Sequence, residues 1–310
     1  MNHFFINFLK GLGIGSANVI PGVSGGTIAL LTGIFERLIN CLKSFNITAL
    51  RLLFKGKFKE LSEHIDFKFL VAVAMGVIVA IFTIAKLFEI WLNGYYSRIY
   101  LMCFFLGLII ASIYYVGKTV QKWNWKTILS FVIGAGIAIT IFVLNYLKET
   151  NAGGSEMQSA EMNTNFLYIM LCGAIGICSM ILPGLSGSYV LLLMGVYDNI
   201  IIAVSNLDLG ILIPFAIGAV AGLLAFSHAL SWIFKKYPDI TIALLTGFIL
   251  GSIPVIYPWR DTMTKELVLP DADIKLAISI VITLIGAAVI VLTKKMAEKE
   301  KNKRQKQNIS

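Results

Sequence analysis

Ser24 and Ser186 stand 162 residues apart in the same setting. The first lies in Pro21-Gly22-Val23-Ser24-Gly25-Gly26, the second in Pro183-Gly184-Leu185-Ser186-Gly187-Ser188. Such a turn has oxyanion chemistry available to it. Glycines let backbone N–H groups approach a ligand, serine adds a hydroxyl donor, and a helix starting there points its positive end at the anion. The match extends outward: Gly11 to Gly173, Leu30-Leu31 to Leu192-Leu193, Gly33 to Gly195, Glu36 to Asp198. Small residues can also serve only to pack helices closely. Two matched copies, each on a proline break, favour a site.

Charged and amide side chains extend this set. Arg37 carries a planar guanidinium suited to phosphate, and Glu36 and Asp198 could orient that phosphate or bind a coupling cation. The competing reading is capping and snorkelling at helix ends. Lys86 and His228 match at a second offset, 142 residues, inside apolar runs. Each could receive a phosphate on its own side, and an imidazole can exchange a proton near neutral pH. Alternatively, Lys86 pairs with Glu89 and His228 bonds between helices. Asn18 and Asn145 are weaker candidates, because buried amides commonly pair helices. The candidate substrate-binding set is therefore Asn18, Pro21, Gly22, Ser24, Gly25, Gly26, Glu36, Arg37 and Lys86, with Pro183, Gly184, Ser186, Gly187, Ser188, Asp198 and His228. If the helix after Ser24 runs straight, Arg37 lies ~20 Å beyond the tip. One fixed phosphate would then not touch both, and Arg37 would act at the cytoplasmic end of a path.

The elements that position these residues are apolar. Of 310 residues, 57% are hydrophobic and 14% charged, and mean hydropathy is +0.82, the composition of a polytopic membrane protein. A half-helix from Phe4 to Ile20 ends at Pro21-Gly22, and a second, capped by Ser24, is predicted to run to about Ile39. This hairpin, 4–39, is followed by a basic loop and by spans at 68–92, 98–117 and 126–147, completing a first repeat over 1–147. A polar linker, 148–165, leads to a second repeat, 166–293: a hairpin at 166–203, then spans at 210–234, 240–257 and 274–293. The tail, 294–310, is basic and polar and is expected to lack ordered structure.

Lysine and arginine set the orientation. The 43–68 loop, Lys118, Lys122, Lys126, Lys235, Lys236 and the tail belong inside, and the linker with Glu149, Glu156 and Glu161 belongs outside. That assignment closes only if each broken pair enters and leaves on one side. The predicted fold is an all-α polytopic membrane protein of two inverted repeats, each a re-entrant helical hairpin plus three transmembrane helices, with both termini cytoplasmic. Parity does not separate re-entrant hairpins from pairs of short full spans.

Several functions are excluded. The +9 net charge suits an anionic leaflet, and no basic aromatic module accompanies it, so no nucleic acid is expected. Cys41, Cys103, Cys172 and Cys178 lack metal-type spacing and read as packing residues. His3, His64 and His228 are scattered, and the carboxylates show no metal-ligand spacing. Gly-Val-Ser-Gly-Gly lacks the preceding strand of a hydrolase elbow. The reading is not an enzyme, with no cofactor. The N-terminus, interrupted by Lys10, does not read as a cleavable signal.

Ala17-Asn18-Val19-Ile20-Pro21-Gly22-Val23-Ser24-Gly25-Gly26-Thr27, with Gly33-Ile34-Phe35-Glu36-Arg37-Leu38-Ile39, resembles the first signature of the PopT-type bacterial polyprenyl-phosphate transporters, long catalogued as a domain of unknown function. Met180-Ile181-Leu182-Pro183-Gly184-Leu185-Ser186-Gly187-Ser188, with Gly195-Val196-Tyr197, resembles the second. The resemblance covers nearly the whole chain. It implies undecaprenyl phosphate as substrate, a flippase that returns it from the outer to the inner leaflet of the bacterial cytoplasmic membrane, and surrounding membrane lipids as partners. With no nucleotide-binding motif, energy would come from an H+ or Na+ gradient or from downstream consumption of the carrier. A small-anion transporter or channel using the same tips is the alternative.

Overall fold

A computed structural model of the chain describes residues 3–19, 24–151, 165–260, 267–270 and 273–307. It is 83% helical, and among the described residues no strand forms beyond an isolated bridge between Arg260 and Leu267. Helix is the expected outcome for these apolar runs, since hydrocarbon offers the backbone no outside hydrogen-bond partner. The first half comprises α1 (His3–Val19), α2 (Gly25–Leu31), α3 (Phe35–Lys43), α4 (Ile47–Phe54), α5 (Phe58–His64), α6 (Phe67–Asn93), α7 (Tyr95–Gly117) and α8 (Trp125–Asn151). The second comprises α9 (Phe166–Ile181), α10 (Gly187–Leu193), α11 (Tyr197–Asn206), α12 (Leu209–Lys236), α13 (Pro238–Gly251), a 3-10 turn (Ile253–Ile256) and α14 (Ile274–Gln307). Among the described residues five helices are long and apolar enough to cross a membrane, and counting bent pairs as spans raises the number to eight.

The helices pack in pairs whose contacts repeat. Gly11 of α1 lies against the backbone of Val73, and Gly76 of α6 against that of Phe8. In the second half Gly173 of α9 meets Phe215, and Gly218 of α12 meets Met170. Between halves, α7 and α14 cross at Gly107 with Thr283 and Gly286 with Phe104. The same crossing joins α13 and α8, at Gly247 with Phe131 and Gly134 with Leu244. Each glycine lets backbone touch backbone where a Cβ would clash, the mode by which membrane helices gain van der Waals contact.

Three differences from the sequence reading concern the hairpins, the 43–68 loop and the tail. The helix after each tip does not run straight. It breaks at Gly33 (φ +71°) and at Gly195 (φ +72°), bending α2 from α3 by 114° and α10 from α11 by 108°. Both breaks have the same hydrogen bonds: Ile34 N–H to Ala29 O and Gly33 N–H to Leu30 O, and Val196 N–H to Leu191 O and Gly195 N–H to Leu192 O. This is a glycine-terminated helix end, in which left-handed backbone satisfies the last carbonyls. The straight-helix separation of Arg37 from Ser24 therefore does not hold. The basic 43–68 loop contains two short helices, α4 and α5. The tail also differs: α14 continues to Gln307, through Lys, Glu and Gln residues that are good helix formers.

The halves part company at one contact. On the first side α3 packs on α12, with Phe35 and Phe234 ring centroids 6.0 Å apart. The buried Ser231 hydroxyl donates to Asn40 Oδ1 at 2.8 Å. No comparable packing joins α11 to α6 among the described residues.

Candidate functional site

Each short helix after a tip folds back along its predecessor. Gly25 lies against Ile14 and Asn18, and Gly187 against Gly176 and Met180, the positions equivalent by the 162-residue offset. The chain thus makes a helical hairpin in both halves, and the two tips meet. Ser24 Oγ lies 3.3 Å from Leu182 O, to which its hydroxyl donates, and Gly184 N–H donates to Thr27 Oγ1 at 3.2 Å. Gly26 sits against Ile181 O and Pro183, leaving no room for a Cβ. Gly184 has φ +79° and presses on the Phe248 and Ile249 backbone, so both conformation and space require glycine. Ser24, Thr27 and Pro183 are buried.

At the first tip, the opening turn of α2 is satisfied by the protein. Ser24 caps it by accepting from Gly26 N–H at 3.2 Å, and Asn18 Oδ1 accepts from Gly25 N–H at 2.8 Å. At the second tip, Ser186 makes no capping bond, and its hydroxyl lies 2.7 Å from that of Ser188. Pro21 and Gly22 lie outside the described residues. The far ends of the short helices are also held: Lys10 Nζ donates to Thr32 O at 2.9 Å, and Tyr168 OH donates to the equivalent Met194 O at 2.7 Å. Buried Asn145 donates to Ile141 O and Tyr189 O, tying α8 to α10.

Arg37 lies elsewhere, in a cavity of about 410 Å³ lined by Gly33, Glu36, Asn40, Cys41, His64 and Asp66. Its guanidinium makes two contacts to Asp66 Oδ2, Nε at 2.7 Å and Nη2 at 2.6 Å, and stacks 4.2 Å from the Phe69 ring centroid. Both partners are about half exposed, so the ion pair is worth ~0–1 kcal/mol and can yield to a stronger anion. Asp66, Asn40 and Ser231 were not singled out from the sequence as site residues. Asp66 matches Asp208 and stands before an apolar run, which was the available signal.

The remaining candidates are dispersed. Glu36 and Asp198 are exposed, and Asp198 does not line the Arg37 cavity. Lys86 lies within α6, and its side chain is outside the described residues. His228 Nδ1 is 2.8 Å from Leu224 O of its own helix, and the residue lines a separate apolar groove beside α4 and α5. Thus the structure brings together Asn18, Ser24, Gly25, Gly26, Pro183 and Gly184, followed directly by Ser186, Gly187 and Ser188. It sets Glu36 and Arg37 in a second, polar place. Among the described residues no cluster has the makings of a metal site.

The chain has clear relatives. A polyprenyl-phosphate transporter of Vibrio cholerae serotype O1 is 37% identical over 262 residues, covering 84% of this chain and 80% of that protein. A polyprenyl-phosphate transporter of Staphylococcus aureus is 30% identical over 266 residues, covering 83% and 88%. These relatives are transporters by name, in keeping with a multi-pass membrane protein that is not an enzyme. No solved structure matches. Residues 14–268 match the family described as VCA0040-like, undecaprenyl phosphate translocase-like, and it is to this family that the chain belongs.

Proposed function

We propose that the chain returns undecaprenyl phosphate from the outer to the inner leaflet of the bacterial cytoplasmic membrane, where the carrier re-enters cell-envelope synthesis. The substrate class is that of its named relatives. The observation that carries the reading is the meeting of two matched polar tips, one from each half, buried among apolar helices. Non-helical backbone at such a place survives when protein or a watery path satisfies it, and in transporters it marks the substrate site. A lipid phosphate needs a polar path for its head alone, while its chain stays in hydrocarbon.

In this reading the halves are inverted repeats, and rocking one against the other alternates access to the tips. Both termini are cytoplasmic. Ser186, Gly187 and Ser188 offer hydroxyl and amide donors to the head group, and Ser24 with Gly25 and Gly26 shapes the facing wall. Arg37 takes the phosphate at the cytoplasmic end, exchanging Asp66 for it. An H+ or Na+ gradient, or consumption of the carrier downstream, drives the cycle.

Leaflet-resolved transport of polyprenyl phosphate in proteoliposomes, with inorganic phosphate as competitor, tests this function. Protein-dependent movement of the lipid that persists in excess phosphate supports it. Phosphate flux without lipid movement would instead identify a small-anion carrier.

A further inference from the structure

The offset between halves drops from 162 to 142 residues between Glu36 and Asp66, because the first half carries an insertion that the second replaces with the short turn at Leu207-Asp208. The insertion is folded. Asn46 caps α4 by accepting from Thr48 and Ala49 N–H, and Gly56 (φ +66°) turns the chain into α5. Helices of eight and seven residues reach only ~12 Å, far short of the ~30 Å hydrocarbon core. Yet large apolar side chains point outward: Phe54 is 81% exposed, Ile47 71% and Phe58 67%. Arg51, Lys55 and Lys59 are interleaved with them, exposed and without an ion-pair partner among the described residues. Behind the hairpin, a groove of about 710 Å³ runs between Leu50, Leu53 and Leu61 on one wall and Leu224 and His228 of α12 on the other.

We propose that the α4–α5 hairpin is a membrane-surface anchor that binds anionic phospholipid, its aromatic and aliphatic side chains in the acyl region and its cations on the head groups. Exposed apolar residues alternating with cations on a helix too short to span are the signature of an interfacial element. The cations select among lipids, because each adds attraction to a negative leaflet. The groove behind the hairpin takes an acyl chain of the bound lipid. The anchor does not depend on the identity of the transported molecule.

Full-length protein with p-benzoylphenylalanine at position 54 or 58, in vesicles of equal parts phosphatidylcholine and phosphatidylglycerol, tests the proposal. Photolysis should yield lipid adducts at both positions, with phosphatidylglycerol favoured by about fivefold for each engaged cation. Arg51→Gln, Lys55→Gln and Lys59→Gln together should bring the ratio to unity while adducts persist. Raised ionic strength should lower the same preference in the chain with its cations intact, which needs no charge variant to fold. Adducts to a second copy of the chain, or equal labelling of both lipids with the cations in place, would overturn it.

Discussion

Around Ser24 the first turn of α2 has no donor to spare: Gly25 N–H goes to Asn18 and Gly26 N–H to Ser24 itself. Around Ser186 no side chain caps α10, and the hydroxyls of Ser186 and Ser188 face each other. The cause is legible in one pair of residues. Asn18 in the first half corresponds to Met180 in the second, and a thioether gives the Gly187 turn no comparable acceptor. The two tips thus share a shape and not a chemistry. In the proposed cycle the second tip holds the head group and the first braces it.

The halves differ again at α3, which is docked on α12 while α11 has no such contact with α6. If the repeats exchange roles during transport, the docked contact must open and its counterpart must form. Asn40→Cys with Ser231→Cys, in a chain cleared of its four native cysteines, should form a disulfide that stops transport until it is reduced. Ile202→Cys with Glu89→Cys, the positions equivalent by the two offsets, should cross-link only when the first pair is open. Transport that continues with the first pair fully cross-linked would break the comparison.

A smaller effect is expected at the Arg37 cavity, where the position equivalent to Arg37 in the second half is Asn199. Arg37→Ala should weaken polyprenyl phosphate binding roughly tenfold or more, since a charge-assisted contact contributes ~1.5–3 kcal/mol. Arg37→Lys should retain part of the activity. Asp66→Asn removes the competing carboxylate and should tighten binding by a few-fold. Normal transport by Arg37→Ala at unchanged expression would reduce this residue to a surface anchor.

The tips themselves separate by readout. Ser24→Ala removes a helix cap and should cost ~1 kcal/mol of stability, seen as a lower unfolding temperature in detergent. Ser186→Ala caps nothing and should leave that temperature nearly unchanged while weakening substrate binding. Met180→Asn offers the second tip the acceptor that the first already has, and should weaken binding as well. A loss of stability in Ser186→Ala equal to that in Ser24→Ala would erase the distinction.

How much of this was legible beforehand follows from the physics of each part. Long apolar runs can only become helices in hydrocarbon, and Pro-Gly turns stop them, so the all-helical fold and its broken segments followed from composition and punctuation. The bends at Gly33 and Gly195 were missed because an isolated glycine in an apolar run does not by itself announce positive φ. The helices of the 43–68 loop were missed for another reason: at seven and eight residues they are held by caps and tertiary contacts, which periodicity does not report. Within the candidate site, glycine and serine marked the tips. The partners of Arg37 and Gly184, which are Asp66 and Thr27, are brought to them by folding across 29 and 157 residues.

The bends at Gly33 and Gly195 should show the closest equality. Their φ values differ by a degree, their hydrogen bonds correspond atom for atom, and a Cβ at either would meet nothing within 4 Å. Alanine at either position therefore pays only for left-handed backbone, ~1–2 kcal/mol. Gly184→Ala is the contrast, because its Cβ would also collide with the Phe248 backbone, and overpacking adds ~1–3 kcal/mol. Unfolding in detergent should rank Gly33→Ala and Gly195→Ala together and Gly184→Ala well below them. Transport adds a finer reading. Gly33 adjoins the docked α3 and Gly195 the undocked α11, so unequal transport at equal stability would mean that one bend moves in the cycle and the other does not.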